Sequence, residues 1–178
     1  VPVGLGAMAA VLGLDDDLIE RTCESITSAS EGLVQAVNYN SPGQVVIAGH
    51  SAQVADACEQ LKEAGAKRCM PLAVSAPFQA ELQQPAGDKL REVLANTPLA
   101  APSIPVVHNV NAATASDPDA IRELLVAQIS APVRWTACMG TLRQMGISHF
   151  AECGAGKVLG GLARRIDRSL ARVYLEAP

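Results

Sequence analysis

The stretch Gly49-His50-Ser51 combines an imidazole and a hydroxyl, two groups that nucleophilic catalysis uses. A serine between a predicted strand and a predicted helix resembles the G-x-S-x-G elbow, whose strained turn exposes the nucleophilic hydroxyl. The second glycine of that motif is replaced by Gln53. An ordinary helix N-cap at Ser51 explains the same residues without chemistry, and His50 is then a surface loop residue. We expect the N-cap and keep a serine hydrolase acting through Ser51 and His50 as the alternative.

A second glycine-rich stretch, Gly154-Ala155-Gly156-Lys157-Val158, superficially matches a loop that binds phosphate. A P-loop requires a glycine five positions before its second glycine and a Ser or Thr after the lysine. This sequence has Ala151 and Val158 at those positions. We therefore expect a tight strand-to-helix turn with Lys157 in the first turn of the helix, and we expect no cofactor.

The cysteines and histidines are the residues that would bind a metal. The five cysteines are odd in number, widely separated and without a C-x-x-C pair: Cys23, Cys58, Cys69, Cys138 and Cys153. That distribution argues against a disulfide framework and a zinc site, and it favours a reducing cytosol. His108 and His149 lie in or beside predicted strands without Cys, Asp or Glu at ligand spacing. The sequence therefore predicts no metal and a cytoplasmic location.

The composition is that of a chain with an aliphatic core. Hydrophobic residues make up 49% of the sequence and aromatic residues only 3%, which is usual for α/β layers. A net charge of -4 with scattered basic residues gives no reason to expect nucleic acid as a partner. No apolar run approaches the roughly 20 residues that span a bilayer, so we expect no membrane partner. The chain opens Val1-Pro2-Val3, without the charged region of a signal peptide, and this opening suggests a fragment.

The first 75 residues alternate strand and helix patterns in the order β-α-β-β-α-β, which is typical of a ferredoxin-like subdomain. Strands are predicted at 7–12, 33–37, 44–47 and 70–74, and helices begin near Asp15 or Asp16 and at Ser51. The turn between the second and third strands is Asn40-Ser41-Pro42-Gly43, where Pro presets φ and Gly permits a positive φ. We expect this small subdomain to span residues 1–75.

Residues 76–178 form a second unit that is less self-contained. Helical patterns at 82–94, 121–129, 138–145 and 158–166 alternate with short strand patterns at 104–107, 149–151 and 172–175. This alternation predicts a parallel sheet covered on both faces, and three strands are too few for it. We expect the missing strands to lie upstream of Val1. An incomplete sheet exposes an apolar face and an unpaired edge, and both favour association. We therefore expect this unit to need a partner segment, a homodimer contact or redesign to remain soluble.

Six collinear segments carry a resemblance to one known family. They are residues 6–13 (GAMAAVLG), 40–46 (NSPGQVV), 74–78 (VSAPF), 105–110 (PVVHNV), 132–135 (PVRW) and 152–159 (ECGAGKVL). Together they resemble the malonyl-CoA:acyl-carrier-protein transacylases of fatty-acid synthesis over essentially the whole chain. The family's G-Q-G segment, its G-H-S-L-G-E elbow with the nucleophile, and the arginine that pairs with malonyl lie outside these residues. The resemblance implies an α/β fold, a ferredoxin-like subdomain plus an incomplete hydrolase-like parallel subdomain.

The same resemblance implies a ping-pong acyl transfer. A serine attacks the thioester of malonyl-CoA, and the acyl-enzyme passes malonyl to the phosphopantetheine thiol of acyl carrier protein. By resemblance, position 79 is that of the His base, and the backbone carbonyl of Gln128 orients the base. Asn40, Met8 and Phe78 correspond to substrate-binding positions, with Phe78 favouring unbranched malonyl; Met8 and Phe78 as simple core residues remain alternatives. The implied partners are malonyl-CoA, acyl carrier protein and the missing N-terminal half of the enzyme.

Gln79 departs from the family pattern, because a carboxamide cannot take up a proton near neutral pH. General-base assistance is worth roughly 10²–10⁴-fold, so we expect this acyltransferase chain to be inactive alone. Sequence alone leaves open whether Gln79 is natural or engineered. The alternative is a non-catalytic module that binds carrier protein or acyl-CoA as a scaffold.

Overall fold

The computed structural model of the chain describes residues 6–73 and 80–175. The first part contains β1 (Gly6–Leu12), α1 (Asp16–Ala29), β2 (Val34–Ser41), β3 (Gln44–His50), α2 (Ser51–Glu63) and β4 (Arg68–Pro71). The second part contains a short 3₁₀ helix (Glu81–Gln83), α3 (Gln84–Ala95), α4 (Pro118–Ala127), α5 (Trp135–Gln144), β5 (His149–Cys153), α6 (Val158–Ile166) and β6 (Ala171–Leu175). Within these ranges, no helix has both the length and the apolar character to cross a membrane.

The first four strands form one antiparallel sheet in the order β2-β3-β1-β4. Together with α1 and α2 this is the β-α-β-β-α-β arrangement that the sequence predicts, and the α/β fold class is confirmed. Alternate strand residues, such as Val11 and Ile47, point to the face that both helices cover. From α1 the buried side chains are Ile19, Cys23 and Ile26, whose spacing places them on one helical face.

Strand β2 contains two irregularities that change which face its residues occupy. Its register against β3 shifts between Ala36 and Asn38 and again between Tyr39 and Ser41, so Val37 and Asn40 are extra residues. Each extra residue moves the following side chains to the other face, because the side-chain period of a strand is two. As a result Ala36 and Tyr39 both contact the core beneath the helices, although a separation of three residues would place them on opposite faces of a regular strand.

The second part of the chain has a smaller core between α5, α6 and β5. Met139, Ala163 and Leu170 are buried there, and the rings of Trp135 and Phe150 meet edge to face with centroids 6.2 Å apart. Strands β5 and β6 pair in parallel, as the alternation of elements predicts. The predicted strand at 104–107 is wrong: Val107 makes one isolated bridge to Thr114, and Ile104 is 75% exposed. Pro105 explains the difference, because it has no N–H to donate to a strand partner.

The cysteine prediction also requires a correction. Cys58 in α2 and Cys69 in β4 form a disulfide, with their Cα atoms 5.6 Å apart. Helix and strand are neighbours in the fold although the two residues are 11 positions apart, so sequence spacing alone did not reveal the pair. Cys23, Cys138 and Cys153 are free thiols.

Candidate functional site

Of the five predicted site residues, Met8, Asn40 and Gln128 are described, whereas Phe78 and Gln79 lie outside the described residues. Ala80, which directly follows Gln79 in the chain, is fully buried. It packs in the cluster on the second face of the antiparallel sheet, whose members are Met8, Ala10, Val37, Val46, Ala48 and Ala80. The position after Gln79 is therefore anchored beside Met8.

Met8 occupies the middle of β1 and is 6% exposed. Its backbone carbonyl accepts a hydrogen bond from the N–H of Leu72 at 2.9 Å, immediately beyond β4. Leu72 and Ala80 thus both lie next to Met8. Met8 forms an apolar base under this site, and it carries no titratable group.

Gln128 is the C-cap residue of α4, with helical dihedrals and its N–H donating to the carbonyl of Leu124 at 2.9 Å. Ser130 and Ala131 continue this turn through N–H bonds to the carbonyl of Ala127. Gly87 of α3 is buried against the end of α4, and a Cβ there would lie 3.5 Å from the carbonyl oxygen of Val126. A small residue at position 87 lets the two helices approach next to Gln128.

A side-chain bond connects the two predicted catalytic segments. The hydroxyl of Ser130 donates to Oε1 of Gln84 at 3.1 Å. Gln84 begins α3, shortly after Ala80, and Ser130 lies in the turn that follows Gln128. An open groove of about 530 Å³ runs beside this bond and is lined by Gln35, Gln84, Ser130, Ala131 and Pro132. The fold therefore brings the segment after position 79 next to the turn that carries Gln128.

The same turn is bonded to the antiparallel sheet through β2. Val133 donates its N–H to the carbonyl of Val37 at 2.8 Å, and its carbonyl accepts from the N–H of Tyr39 at 2.9 Å. Thr136 adds a hydroxyl bond to the carbonyl of Tyr39 at 3.1 Å. Asn40, the second extra residue of β2, follows directly. Bulges often re-aim side chains beside functional sites, and here one lies between the two parts of the chain.

Tyr39 is a residue of this junction that the sequence reasoning missed. Its hydroxyl donates to a carboxylate oxygen of Glu20, and the guanidinium of Arg134 lies 5.8 Å from the centre of its ring. Burial, followed by the hydrogen bond to Glu20, raises the pKa of Tyr39 above its ordinary value. No local pattern signals this role, because the bulges that orient Tyr39 depend on the pairing of β2 with β3.

The elbow-like stretch Gly49-His50-Ser51 receives a structural explanation. Helix α2 begins at Ser51, so the N-cap position is His50 and the predicted cap at Ser51 is off by one residue. His50 ends β3, and its Nδ1 accepts a hydrogen bond from the N–H of Leu33 at 2.9 Å; it is not the surface loop residue that we expected. At Gly49 a Cβ would lie 2.0 Å from the carbonyl oxygen of Leu33, so strand packing requires this glycine.

The loop Gly154-Ala155-Gly156-Lys157 leads into α6 as predicted, but Lys157 is the N-cap residue rather than part of the first turn. A protein carboxylate already occupies the start of that helix. Glu152 is buried and accepts hydrogen bonds from the N–H groups of Leu159 at 3.0 Å and Gly160 at 2.7 Å. An anion binds well at a helix N-terminus, and here Glu152 is that anion. Among residues 6–73 and 80–175 no group of three or more His, Cys, Asp or Glu side chains is placed to hold a metal ion.

Known proteins similar to this chain were found by sequence and by structure, although no family model matches it. The malonyl CoA-acyl carrier protein transacylase of Escherichia coli K12 is 48% identical over 179 residues, which cover 100% of this chain and 57% of the relative. The solved acyl-carrier-protein S-malonyltransferase of Burkholderia pseudomallei 1710b is 51% identical with a TM-score of 0.95, covering 100% of this chain and 57% of that one.

A second solved structure contains a carrier protein. It is a type II PKS acyl-carrier protein in complex with its malonyl-transacylase, 43% identical with a TM-score of 0.94, and covers 98% of this chain and 56% of that one. The chain thus spans a little over half the length of the relatives it matches, and the match falls on their C-terminal portion.

Proposed function

Because this chain belongs to the malonyl CoA-acyl carrier protein transacylases and corresponds to their C-terminal part, we propose that it forms the base-side half of a malonyl-transfer site. The observation that carries the proposal is the junction between the segment after position 79 and the turn after Gln128. Ala80 is buried beside Met8, and Oε1 of Gln84 accepts a hydrogen bond from the hydroxyl of Ser130 at 3.1 Å. A base at position 79 would stand at this junction.

The proposed reaction moves malonyl from CoA to acyl carrier protein in two steps. A serine hydroxyl loses its proton to a base and attacks the thioester carbonyl, forming an acyl-serine and releasing the CoA thiol. The phosphopantetheine thiol then attacks the acyl-serine, forming a new thioester and returning the proton to the serine. The family's nucleophile segment is not among the 178 residues of this sequence. The Gln128 carbonyl is proposed to orient the base.

Gln79 sets the proposed limit on this activity. A carboxamide can hydrogen-bond to a serine hydroxyl, but it cannot accept its proton near neutral pH. We infer that the chain with Gln79 transfers malonyl poorly even when a nucleophile is supplied. Phe78 and Asn40 are proposed to contact the acyl group, Phe78 favouring the unbranched malonyl.

The β5–β6 sheet is the proposed docking site for the part of the enzyme that carries the nucleophile. One face of this sheet is exposed along its whole length, at His149, Ala151, Cys153, Ala171, Val173 and Leu175. Parallel sheets are usually buried on both faces, and two strands are too few for a stable one. Val173 and Leu175 are each 51% exposed, so covering this face would remove apolar surface from water.

A non-catalytic scaffold is the second candidate, and Gln79 together with the complete small subdomain favours it. The antiparallel sheet with α1 and α2 has its own closed core and does not need an active base to remain folded. Such a module would bind carrier protein or acyl-CoA without turnover. Titration of acyl carrier protein into the 178-residue chain separates the candidates: tight binding without transfer supports the scaffold, whereas the transfer proposal expects little binding by the chain alone.

The cytoplasm is the proposed location, in line with a role in fatty-acid synthesis. The Cys58–Cys69 disulfide opposes the part of this proposal that rests on a reducing compartment, because cytosolic thiols are usually kept reduced. The proposed function does not depend on the state of this pair.

The test of the proposed function uses a chimera: the N-terminal part of the Escherichia coli relative that this chain does not match, followed by residues 1–178. With Gln79→His, incubation with malonyl-CoA should add one malonyl group, seen by intact mass spectrometry. A version whose nucleophilic serine is replaced by alanine is the control. A folded Gln79→His chimera that never forms the adduct would count against transfer.

A further inference from the structure

A groove at the far end of the antiparallel sheet brings together side chains from both parts of the chain. Its volume is about 480 Å³, and its lining includes Leu12, Gly13, Asp15, Gln44, Lys67 and Arg165. The turn after β1, the β2–β3 hairpin and Lys67, the residue before β4, supply most of it, and the end of α6 supplies Arg165. The groove is separate from the Gln84–Ser130 junction.

Lys67 is held in place by the turn after β1. Its N–H donates to the carbonyl of Leu12 at 2.8 Å. A Cβ at Gly13 would lie 2.7 Å from Cγ of Lys67, so the aliphatic stem of the lysine crosses this glycine closely. Gly13 has a φ of +89°, and its N–H donates to the carbonyl of Gly43 at 2.8 Å. Glycine at position 13 thus serves the turn and makes room for the lysine stem.

Arg165 is oriented by the hairpin on the other side of the groove. Its guanidinium donates to Oε1 of Gln44, and the buried hydroxyl of Ser41 donates to the same oxygen at 3.4 Å. Within the described part of the chain neither Lys67 nor Arg165 is in an ion pair. The lining thus presents two cations, against one carboxylate at Asp15.

We propose that this groove binds the phosphates of a phosphorylated ligand, and, resting on the proposed function, that the ligand is the phosphoadenosine end of malonyl-CoA. Guanidinium and ammonium groups are the usual partners of phosphate, and a guanidinium that Gln44 already orients loses less conformational entropy on binding. Leu12 lies four residues beyond Met8 along β1, about 13 Å at about 3.3 Å per strand residue. A ligand reaching both places needs a long arm between its acyl group and its phosphates, and the pantetheine arm of CoA is of that kind.

The test is isothermal titration of the 178-residue chain with adenosine 3′,5′-bisphosphate, with CoA and with uncharged adenosine. Lys67→Gln and Arg165→Gln should each weaken binding of the bisphosphate by about tenfold or more, the usual scale for one charge-assisted hydrogen bond. Asp15→Asn should strengthen it, because the mutation removes the one negative charge of the lining. Lys62→Gln and Arg164→Gln are matched controls, since they remove neighbouring charges outside the lining and should change binding little.

Three results would overturn the proposal: no binding of the bisphosphate or CoA to the folded chain, equal weakening by the controls, or unchanged binding in the Lys67→Gln/Arg165→Gln double variant. A preference for the phosphopantetheine of holo acyl carrier protein over both small ligands would assign the groove to the carrier and also overturn it. Adenosine 3′,5′-bisphosphate has no acyl group, so its binding is independent of transfer. Malonyl transfer that fails while the bisphosphate still binds through Lys67 and Arg165 would refute the proposed function alone.

Discussion

The hydroxyl of Ser130 donates a hydrogen bond to Oε1 of Gln84 at 3.1 Å, linking two segments that are 46 positions apart in the chain. Gln84 begins the helix that follows the base position, and Ser130 lies in the turn that follows Gln128. Val133 then joins that turn to β2 by two backbone hydrogen bonds. These contacts position the two halves of the proposed site with respect to each other.

Glu152 should stabilise the second part of the chain by capping α6. Replacing it with alanine removes the acceptor of two N–H groups, and burial of unsatisfied donors costs about 1–3 kcal/mol each. Glu152→Gln keeps one acceptor oxygen and should lose less. Thermal and urea unfolding of both variants measures the difference, with the exposed Glu63→Ala as control. Equal stability of Glu152→Ala and the parent chain would refute the capping role.

Gly49 should tolerate no side chain. Gly49→Ala would place a Cβ 2.0 Å from the carbonyl oxygen of Leu33, and the resulting backbone shift should cost several kcal/mol, about the range of the largest single-residue effects. The matched control is Gly161→Ala in α6, where a Cβ would meet no atom within 4 Å beyond its chain neighbours and the backbone of its own helix. That change should raise stability by roughly 0.5–1 kcal/mol, since alanine is the better helix former. The free energy of unfolding in urea should therefore fall for Gly49→Ala and rise for Gly161→Ala.

Strands, helices and turns could be predicted from the sequence where local patterns decide the structure. The four strands of the antiparallel sheet and both of its helices follow from apolar periodicity, and the turn at Pro42-Gly43 follows from backbone preference. Features that depend on pairing between distant segments could not be read in this way. The two bulges of β2 depend on its register with β3, and Glu152 reaches α6 only because β5 lies beside it.

The same distinction explains the errors. The apolar stretch at 104–107 predicted a strand, but Pro105 removes a donor and no neighbouring strand compensates among the described residues. The spacing of Cys58 and Cys69 in the sequence matches no recognised cysteine motif. The two residues are nevertheless neighbours in the fold, because α2 packs against β4. The site was predictable only as far as the family resemblance extends, since Met8 and Gln128 belong to no catalytic pattern by themselves.

The stability of the chain should fall at alkaline pH. Burial raises the pKa of Cys23 from 9.0 to about 12, and burial with the Glu20 hydrogen bond also raises the pKa of Tyr39. The folded state holds these protons more tightly than the unfolded state, so this contribution is complete below pH 9 and is lost as pH rises toward 12. Each group can contribute a slope of at most about 1.4 kcal/mol per pH unit.

Urea unfolding at intervals from pH 8 to pH 11 measures that slope. Cys23→Ala should reduce it above about pH 9, where the thiol of the unfolded chain loses its proton, and Tyr39→Phe should reduce it only above about pH 10, the ordinary value for tyrosine. Cys153→Ala is the control, because this thiol is exposed. A slope that is the same in all four proteins would contradict the assignment to Cys23 and Tyr39.

The Cys58–Cys69 disulfide should be detectable by counting thiols. The denatured, unreduced chain should react with thiol reagent at three cysteines, and the reduced chain at all five. Because the bond closes a loop of 11 residues, its loss should lower the free energy of unfolding by about 2–3 kcal/mol. Cys58→Ser/Cys69→Ser should match the reduced chain in stability. Five reactive thiols before reduction would show that the bond does not form in the purified protein.

The most direct test compares malonyl transfer to acyl carrier protein by the chimera with Gln79 and by the same chimera with Gln79→His. Restoring an imidazole supplies the proton acceptor that the junction of Ala80, Gln84 and Gln128 is proposed to position. The transfer rate should rise by roughly 10²–10⁴-fold, the usual value of general-base assistance. Equal rates for the two folded forms would contradict the claim that position 79 is the base of this site.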